Sequence, residues 1–223
     1  MLVQNIGALV LYKNNQLIAF SKPAGVPVQA DRSGDKSLMD LAEIYCKRNL
    51  HLVHRIDRPV SGLLLFAKTK QTAAYLSKQF QEGRIKKQYL AVVKNAPPKE
   101  EDHLIHHLSK NSKLNKSFVS DIATKNSKEA KLSYRLMGKS DHYHLLRIEL
   151  ISGRHHQIRA QLAAIGCPVK GDVKYGARRS NKDRSIHLHA WKMEFQHPIS
   201  GDTINIEAPL PDEVVWNAFN KSD

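Results

Sequence analysis

A carboxylate between two arginines is the first feature of this sequence that could carry out chemistry. Asp57 lies between Arg55 and Arg58 in the stretch HLVHRIDRPVSGLLLFAKTK, which covers residues 51–70. Neighbouring cations favour the ionised form of a carboxylate, and an ionised carboxylate shielded from water can act as a nucleophile. The same aspartate can also be the structural acid of a salt-bridged turn, and this stretch taken alone favours that interpretation.

Two further residues, Tyr89 and Arg159, have side chains that could assist such an acid. Tyr89 lies inside the apolar stretch KKQYLAVV, where a buried hydroxyl would need a hydrogen-bond partner. Arg159 follows Ile158 in GRHHQIRAQLAAIG, about 100° round a helix from its apolar face, so its guanidinium could reach a buried acid. A core tyrosine and a solvent-exposed helix arginine are the alternatives, and the residues alone leave both open.

The twelve histidines invite a search for a metal site. The close pairs are His106 with His107, His142 with His144, His155 with His156, and His187 with His189. Zinc sites use ligands at recognised spacings, and the sequence has neither a CxxC nor an HExxH motif. It also has no glycine-rich phosphate loop and no Gly-x-Ser-x-Gly elbow. The sequence therefore argues against a metal site and shows no motif for a nucleotide cofactor.

The charge balance favours a nucleic-acid partner. Lysine and arginine number 35 against 21 aspartates and glutamates, which gives a formal net charge of +14. Such a surface attracts nucleic acid through phosphate contacts and counterion release. The alternatives are a protein that is simply basic and one that binds an anionic membrane, although no basic amphipathic helix favours the membrane.

Length and composition predict one cytoplasmic domain. The 223 residues contain no internal repeat and no linker that would divide the chain, so a single domain over 1–223 is expected. No apolar run approaches the roughly 18 residues of a membrane span. The start of the chain, residues 1–5, lacks the pattern of a secretory signal. Cys46 and Cys167 lie far apart and suggest no disulfide framework, as is usual in a reducing cytoplasm.

Hydrophobic periodicity and turn residues predict an α+β fold. The predicted strands cover 8–12, 16–21, 51–54, 62–68, 86–94, 130–137, 143–151, 187–195 and 203–208. Helices are predicted from Ser37, with Asp40 completing a capping box, to near Arg48, and over 69–83, with Ala73, Leu76 and Phe80 on the apolar face. Further helices are predicted around 154–165 and from near Pro211. The polar stretch 95–129 is expected to be an exposed hairpin or insert.

Three stretches together resemble the RluA-type pseudouridine synthases. HRIDRPVSGL is similar to the catalytic signature of that family, KKQYLAVV to its tyrosine motif, and GRHHQIRAQLAAIGCPVKGDVKYG to its arginine motif with the following turn. SKPAGVPV, residues 21–28, resembles an early Lys-Pro-x-Gly element, and LHAWKMEFQHPISG and EAPLP resemble the C-terminal strand and tail. The likeness covers roughly residues 8–211, with all motifs in order.

The resemblance implies an enzyme that isomerises uridine to pseudouridine in ribosomal or transfer RNA without a cofactor. It implies a mixed, largely antiparallel sheet with flanking helices and an active cleft across the middle. By motif position Asp57 is the nucleophile, Tyr89 packs on the target base and serves the final proton removal, and Arg159 pairs with Asp57. Arg55 would enter the RNA helix as the target nucleotide leaves it, and Arg154 and His156 are the other candidates for RNA binding.

Two departures from the family pattern affect these expectations. Val60 stands where the family usually has threonine, so a hydrogen bond at that point would be lost. No N-terminal accessory RNA-binding domain is expected ahead of residue 8, which leaves the choice of RNA open. The expected partner is a structured stem-loop of RNA bound by a monomer. The alternatives are a catalytically silent RNA-binding protein on the same fold and a metal-dependent nuclease, which would need a carboxylate cluster that the sequence does not show.

Overall fold

The computed structural model describes residues 5–31 and 33–219. The chain divides into two compact units, Met1–Lys87 with His189–Leu210, and Gln88–Leu188 with Pro211–Asp223. The expectation of one catalytic domain over 1–223 stays a prediction. Residues 1–4, on which the expected lack of a secretory signal largely depends, lie outside the described residues.

The described residues form strands, α-helices and two short 3-10 helices. The strands are β1 Val10–Lys13, β2 Leu17–Lys22, β3 His51–Leu52, β4 Ser61–Ala67, β5 Lys86–Val93, β6 Glu101–Asn111, β7 Lys116–Ser120, β8 Ser127–Lys139, β9 His144–Leu150, β10 Leu188–Gln196 and β11 Thr203–Glu207. The α-helices are α1 Leu38–Cys46, α2 Lys70–Gln81, α3 Gln157–Ala164 and α4 Val214–Asn217, and the 3-10 helices are Ile6–Leu9 and Val173–Tyr175.

Strand β4 is the centre of the first unit. All seven of its residues are buried, as the continuous apolar run predicts. It pairs antiparallel with β2 from Leu17↔Ala67 to Lys22↔Gly62, and β1 continues the sheet as the predicted hairpin. Strand β3 pairs antiparallel with the end of β4, while β10 pairs parallel with its start, and β11 pairs antiparallel with β10.

The helices of the first unit begin where the sequence predicts. Ser37 accepts a hydrogen bond from the Asp40 N–H, and the Asp40 side chain accepts one from Ser37, which confirms the capping box of α1. The helix ends at Cys46 rather than near Arg48, because Lys47 adopts a left-handed conformation. Helix α2 buries Thr72, Leu76 and Gln79, so its buried face is rotated from the predicted one.

The second unit contains an antiparallel sheet in the order β5-β9-β8-β6-β7. The predicted pairs form, since β8 pairs with β9 and the polar stretch 95–129 provides the hairpin of β6 and β7. Strand β6 also pairs with β8 from Glu101↔Arg135 to Ser109↔Ser127, so the hairpin belongs to the sheet. A core of Leu108, Ala130, Ala160 and Tyr175 joins this sheet to α3.

The predicted fold class is confirmed. The structure has helices beside a mixed sheet whose described pairs are antiparallel except for β4 with β10. Among the described residues, no helix has the length and apolar character needed to cross a membrane.

Candidate active site

Asp57 lies in the turn between β3 and β4. The Val60 N–H donates to the Asp57 carbonyl at 3.0 Å and closes a four-residue turn. Ile56 and Val60 are buried on either side of it, while Asp57 itself is half-buried. The departure from the family pattern at Val60 thus places a methyl group at a buried position, and the two buried side chains fix the turn against the core.

A buried lysine, which the sequence analysis did not select, supports this turn. Lys22 is 1% exposed, and its Nζ donates to the carbonyls of Pro23 at 2.8 Å, Val26 at 2.9 Å and Arg58 at 3.1 Å. These three acceptors match the three N–H donors of an ammonium. Burial lowers the pKa of Lys22 to about 7, and the charge of Asp57 acts in the opposite direction. Lys22 is therefore a buried cation that interacts electrostatically with Asp57. The signal for it was the Lys-Pro element in SKPAGVPV.

Arg58 connects the loop that follows β2 to the Asp57 turn through hydrogen bonds. Its Nε donates to the Gly25 carbonyl at 2.8 Å, and the Gly25 N–H donates to the Arg58 carbonyl at 2.8 Å. Its guanidinium also forms ion pairs with Asp31 and Asp35, which raise the pKa of Arg58, the hydrogen bond to Asp35 most of all. The other flanking arginine, Arg55, is exposed. The two arginines of the motif thus have different surroundings.

His54 extends the backbone pairing of β4 beyond the end of β3. Its Nε2 accepts a hydrogen bond from the Leu65 N–H at 2.9 Å, and its ring stacks on Phe80 with the ring centroids 4.9 Å apart. Burial lowers the pKa of His54 to about 3, so the ring is neutral and can accept this bond at neutral pH. This histidine therefore holds the chain just before Asp57 against β4 and α2.

The start of β4 is locked to β10 by a glycine and by a buried Ser–His pair. Gly62 has a φ of +107°, and a Cβ there would lie 2.2 Å from the Ala190 carbonyl oxygen, so only glycine fits. The Ser61 hydroxyl lies 2.8 Å from Nδ1 of His189, and Nε2 of His189 lies 3.4 Å from the Ala208 carbonyl. Since burial lowers the pKa of His189 to about 4, the neutral ring accepts from Ser61 and donates to Ala208.

In the second unit, Arg159 forms a bidentate ion pair with Asp172. Nε and Nη2 of Arg159 lie 2.6 Å and 2.8 Å from the two carboxylate oxygens, and the residues are only 5% and 2% exposed. The Arg159 guanidinium also lies over the Tyr175 ring, 5.0 Å from its centroid. The expectation that Arg159 reaches a buried acid is met by Asp172, which the sequence analysis did not select. The expected pairing with Asp57 stays a prediction.

Tyr175 links Arg159 to the residues before α3. Its hydroxyl accepts a hydrogen bond from the Ser117 N–H at 2.8 Å and lies 3.0 Å from Nδ1 of His156. The His156 ring stacks on that of His155 with the centroids 3.7 Å apart, and the Ser117 hydroxyl donates to the His155 carbonyl at 2.6 Å. This network fixes the turn in which His156 has a positive φ of 53°.

The predicted site residues are thus divided between the units. Asp57 and Arg55 belong to the first unit, and Tyr89, Arg154, His156 and Arg159 to the second. Within the second unit, Arg159 and His156 both contact Tyr175. Tyr89 is buried in β5, where it pairs with Ile148 of β9, and Arg154 is exposed.

The histidine pairs do not form a metal centre in the part of the chain that the structure describes. No group of three or more histidine, cysteine, aspartate or glutamate side chains is arranged there to hold an ion. His106 instead lies against Gln161, and His187 lies 2.9 Å from a carboxylate oxygen of Glu213. These two histidines serve as hydrogen-bond partners within the fold.

Comparison with known proteins identifies the family. The family model described as RNA pseudouridylate synthase matches residues 16–164, which include Asp57, Tyr89 and Arg159. The chain belongs to the RNA pseudouridylate synthase family. The resemblance stated from the motifs is confirmed, as is the class of enzyme it implies, an isomerase that forms pseudouridine in RNA.

Relatives of this pseudouridine synthase match along nearly its whole length. It is 33% identical over 206 residues to ribosomal large subunit pseudouridine synthase C of Rickettsia felis, covering 91% of this chain and 67% of that protein. It is 31% identical to ribosomal large subunit pseudouridine synthase D of Nitrosomonas europaea, covering 92% of this chain but only 62% of that protein. An uncharacterised RNA pseudouridine synthase of Zymomonas mobilis is 33% identical, with 93% of its length covered.

Solved structures of the family share the fold. Human RNA pseudouridylate synthase domain containing 4 superposes with a TM-score of 0.77 at 21% identity, covering 93% of this chain and 90% of that one. Human RNA pseudouridylate synthase domain containing 1 gives a TM-score of 0.74 at 19% identity, covering 96% and 94%. At these identities the likeness concerns the fold alone.

Proposed function

We propose that this chain isomerises uridine to pseudouridine in the RNA of the large ribosomal subunit, with Asp57 as the nucleophile. The observation that carries the proposal is the Asp57 turn, which lies within the matched family region and is fixed on the buried ammonium of Lys22. The choice of RNA follows the names of the Rickettsia felis and Nitrosomonas europaea relatives, which specify the large ribosomal subunit. Transfer RNA, which the motifs left open, is the substrate to test against it.

The reaction is an isomerisation and needs no oxidant, reductant or cofactor. The glycosidic bond from C1′ to N1 breaks, the free uracil turns, and a bond from C1′ to C5 replaces it. The proton on C5 leaves and N1 gains one, so the atoms balance. The Asp57 carboxylate either adds to the sugar or assists the departure of the base, and both routes need its anionic oxygen.

Tyr89 and Arg159 are the other proposed catalytic residues. Tyr89 would pack on the detached base and its hydroxyl would serve the removal of the C5 proton, which is a general acid–base step. Arg159 would pair with the Asp57 carboxylate. The bidentate ion pair with Asp172 supports this role, because it fixes the plane of the Arg159 guanidinium before any RNA binds.

The RNA contacts proposed for Arg55 and Arg154 rest on their exposure in charged loops. His156 would also contact the RNA, in addition to its hydrogen bond with Tyr175. A stem-loop fits the family chemistry, because sequence-specific RNA recognition targets loops whose bases can be turned out. The monomeric state and the cytoplasmic location stay predictions.

Tritium release from RNA labelled at C5 of uridine tests the proposed function. The purified chain should release tritium from a large-subunit ribosomal transcript and leave a transfer RNA transcript unchanged, because only isomerisation removes the C5 hydrogen. Asp57→Asn protein is the control and should bind the same transcript without release. Binding by the wild type without release from either RNA would instead indicate the catalytically silent alternative.

A further inference from the structure

A small basic pocket lies in the second unit, and its lining does not include the side chains proposed for catalysis. Its volume is about 270 Å³, and its lining includes Leu108, Lys110, Ser117, Lys128, Arg154 and His155. Three of these residues are cations, and none of the described residues that line the pocket is acidic. The motifs of the sequence point to Arg154 alone among the three cations.

The register of the sheet explains how the pocket forms. Lys110 of β6 pairs with Ser117 of β7, and Leu108 of β6 pairs with Lys128 of β8. Directly paired residues point to the same face of a sheet, and so do residues two apart on one strand. All four side chains therefore belong to one face of β6–β8, with Leu108 as the buried apolar floor and the two lysines exposed.

The loop before α3 supplies the opposite wall. Arg154 Nε donates to the Glu129 carbonyl at 2.9 Å, a bond that leaves the two Nη groups uninvolved. The His155 ring is held by Ser117 Oγ, 2.9 Å from Nδ1, and by Asn115 Oδ1, 3.1 Å from Nε2. The Glu129 side chain belongs to the opposite face of β8, and its hydrogen bond with Lys131 is the main cause of its lowered pKa.

We propose that this pocket binds one phosphate–ribose unit of the RNA backbone. The proposal rests on the proposed function for its choice of anion and deepens it by naming a subsite. Three cations without a lining acid favour a phosphate, and the apolar floor formed by Leu108 suits the carbon face of a ribose. The volume is just below the roughly 300 Å³ at which pockets for drug-sized ligands begin. The pocket is therefore too small for a ligand much larger than one nucleotide backbone unit. Such a pocket contacts no base, so it binds RNA of any sequence.

Charge-removing substitutions test the proposal. Lys110→Gln and Lys128→Gln should each weaken RNA binding about tenfold, the loss expected for a charged hydrogen bond. KM for RNA should rise while kcat at saturation stays unchanged. Lys139→Gln is the matched control, since it removes the same charge from the exposed end of β8, outside the pocket, and it should change little.

The double variant Lys110→Gln with Lys128→Gln separates a pocket from a diffuse basic surface. Two lysines on one phosphate should give a double variant weakened by much less than the product of the single effects. The slope of log affinity against log salt should then fall by only about one phosphate contact, roughly 0.7 to 0.9. The single-phosphate site would be overturned if the loss of affinity in the double variant equalled the product of the two single losses. The salt slope would then fall by about 0.7 to 0.9 for each lysine.

Two further measurements keep the inference distinct from the proposed function. RNA should protect Lys110 and Lys128, but not Lys139, from amine-reactive labelling, and this readout uses the wild-type protein. Pocket variants that behave like Lys139→Gln in an enzyme that releases tritium would overturn the pocket alone. Loss of RNA binding in those variants of a protein without isomerase activity would support the pocket and refute the proposed function. Tight, saturable binding of inorganic phosphate, lost in the same variants, would assign the site to a free anion instead.

Discussion

The Asp57 turn and the start of α3 hold their buried cations in different ways. In the turn, the Lys22 ammonium is surrounded by three backbone carbonyls. Near α3, the Arg159 guanidinium is paired with the side chain of Asp172. The first arrangement depends on the course of the main chain, and the second depends on two side chains that are both almost fully buried.

This difference predicts that the two regions respond differently to substitution. Backbone carbonyls remain in place when a nearby side chain changes, so the turn should keep its shape when Asp57 is replaced. A buried carboxylate that loses its arginine is left without compensation in a medium of low polarity. Substitution of Asp57 should therefore abolish activity without a loss of stability, whereas substitution of Arg159 should reduce both.

The largest effect is expected for Asp57→Asn. The amide is nearly isosteric and still accepts a hydrogen bond, but it has no anionic oxygen to act at the sugar. Tritium release should become undetectable while the melting temperature and RNA affinity stay near those of the wild type. Asp31→Asn, a change to an exposed partner of Arg58, should keep activity. A folded Asp57→Asn protein with wild-type turnover would return Asp57 to a structural role.

Arg159→Ala should destabilise the fold as well as reduce catalysis. Removal of one member of a buried ion pair costs about 3–5 kcal/mol, here because Asp172 stays buried. Urea unfolding measures the loss. The double variant Arg159→Met with Asp172→Leu removes both charges and should recover much of the stability without recovering activity. Equal destabilisation in the single and double variants would contradict the ion-pair explanation.

Tyr89→Phe should slow turnover at least about 100-fold if the hydroxyl takes part in proton transfer, the low end for general acid–base catalysis. Fold and RNA affinity should be retained, because the aromatic ring remains. Tyr134→Phe is the matched control, as Tyr134 is also buried in the second unit and its hydroxyl donates to the Lys99 carbonyl. Activity of Tyr89→Phe close to that of Tyr134→Phe would make Tyr89 a core residue only.

The most gradual effect is the pH dependence contributed by Lys22. Its folded pKa of about 7 lies below the unfolded value of about 10.5, so between these values the unfolded chain binds more protons. The free energy of unfolding should therefore rise with pH in that window, by at most about 1.4 kcal/mol per pH unit. Below about pH 7 both states are protonated, and the contribution no longer changes.

Lys22→Met removes this titration, so its stability should rise less steeply with pH than that of the wild type. Urea unfolding of both proteins across the window gives the comparison, with Lys78→Met, a change at an exposed helix lysine, as the control. Parallel pH curves for wild type and Lys22→Met would show that Lys22 has an ordinary pKa in the folded protein.

The local elements could be predicted because their causes lie a few residues apart. Ser37 and Asp40 cap α1 across a single turn, and the apolar run of β4 required a buried strand. The buried face of α2 could not be predicted in the same way. Thr72 is buried because its hydroxyl binds the Gln16 side chain, and Phe80 is only half-buried beside His54. Both partners come from loops that lie outside the helix.

The sequence by itself determined the fold class, the family motifs and the nucleophile candidate, because residue type and short spacing carry that information. Only the tertiary structure decided that Asp172 pairs with Arg159, that His189 binds Ser61 across 128 positions, and that Lys22 lies beneath the Asp57 turn. Sheet order and register set these contacts. They depend on how distant segments pack, and no local pattern of residues encodes the distance between two side chains on different elements.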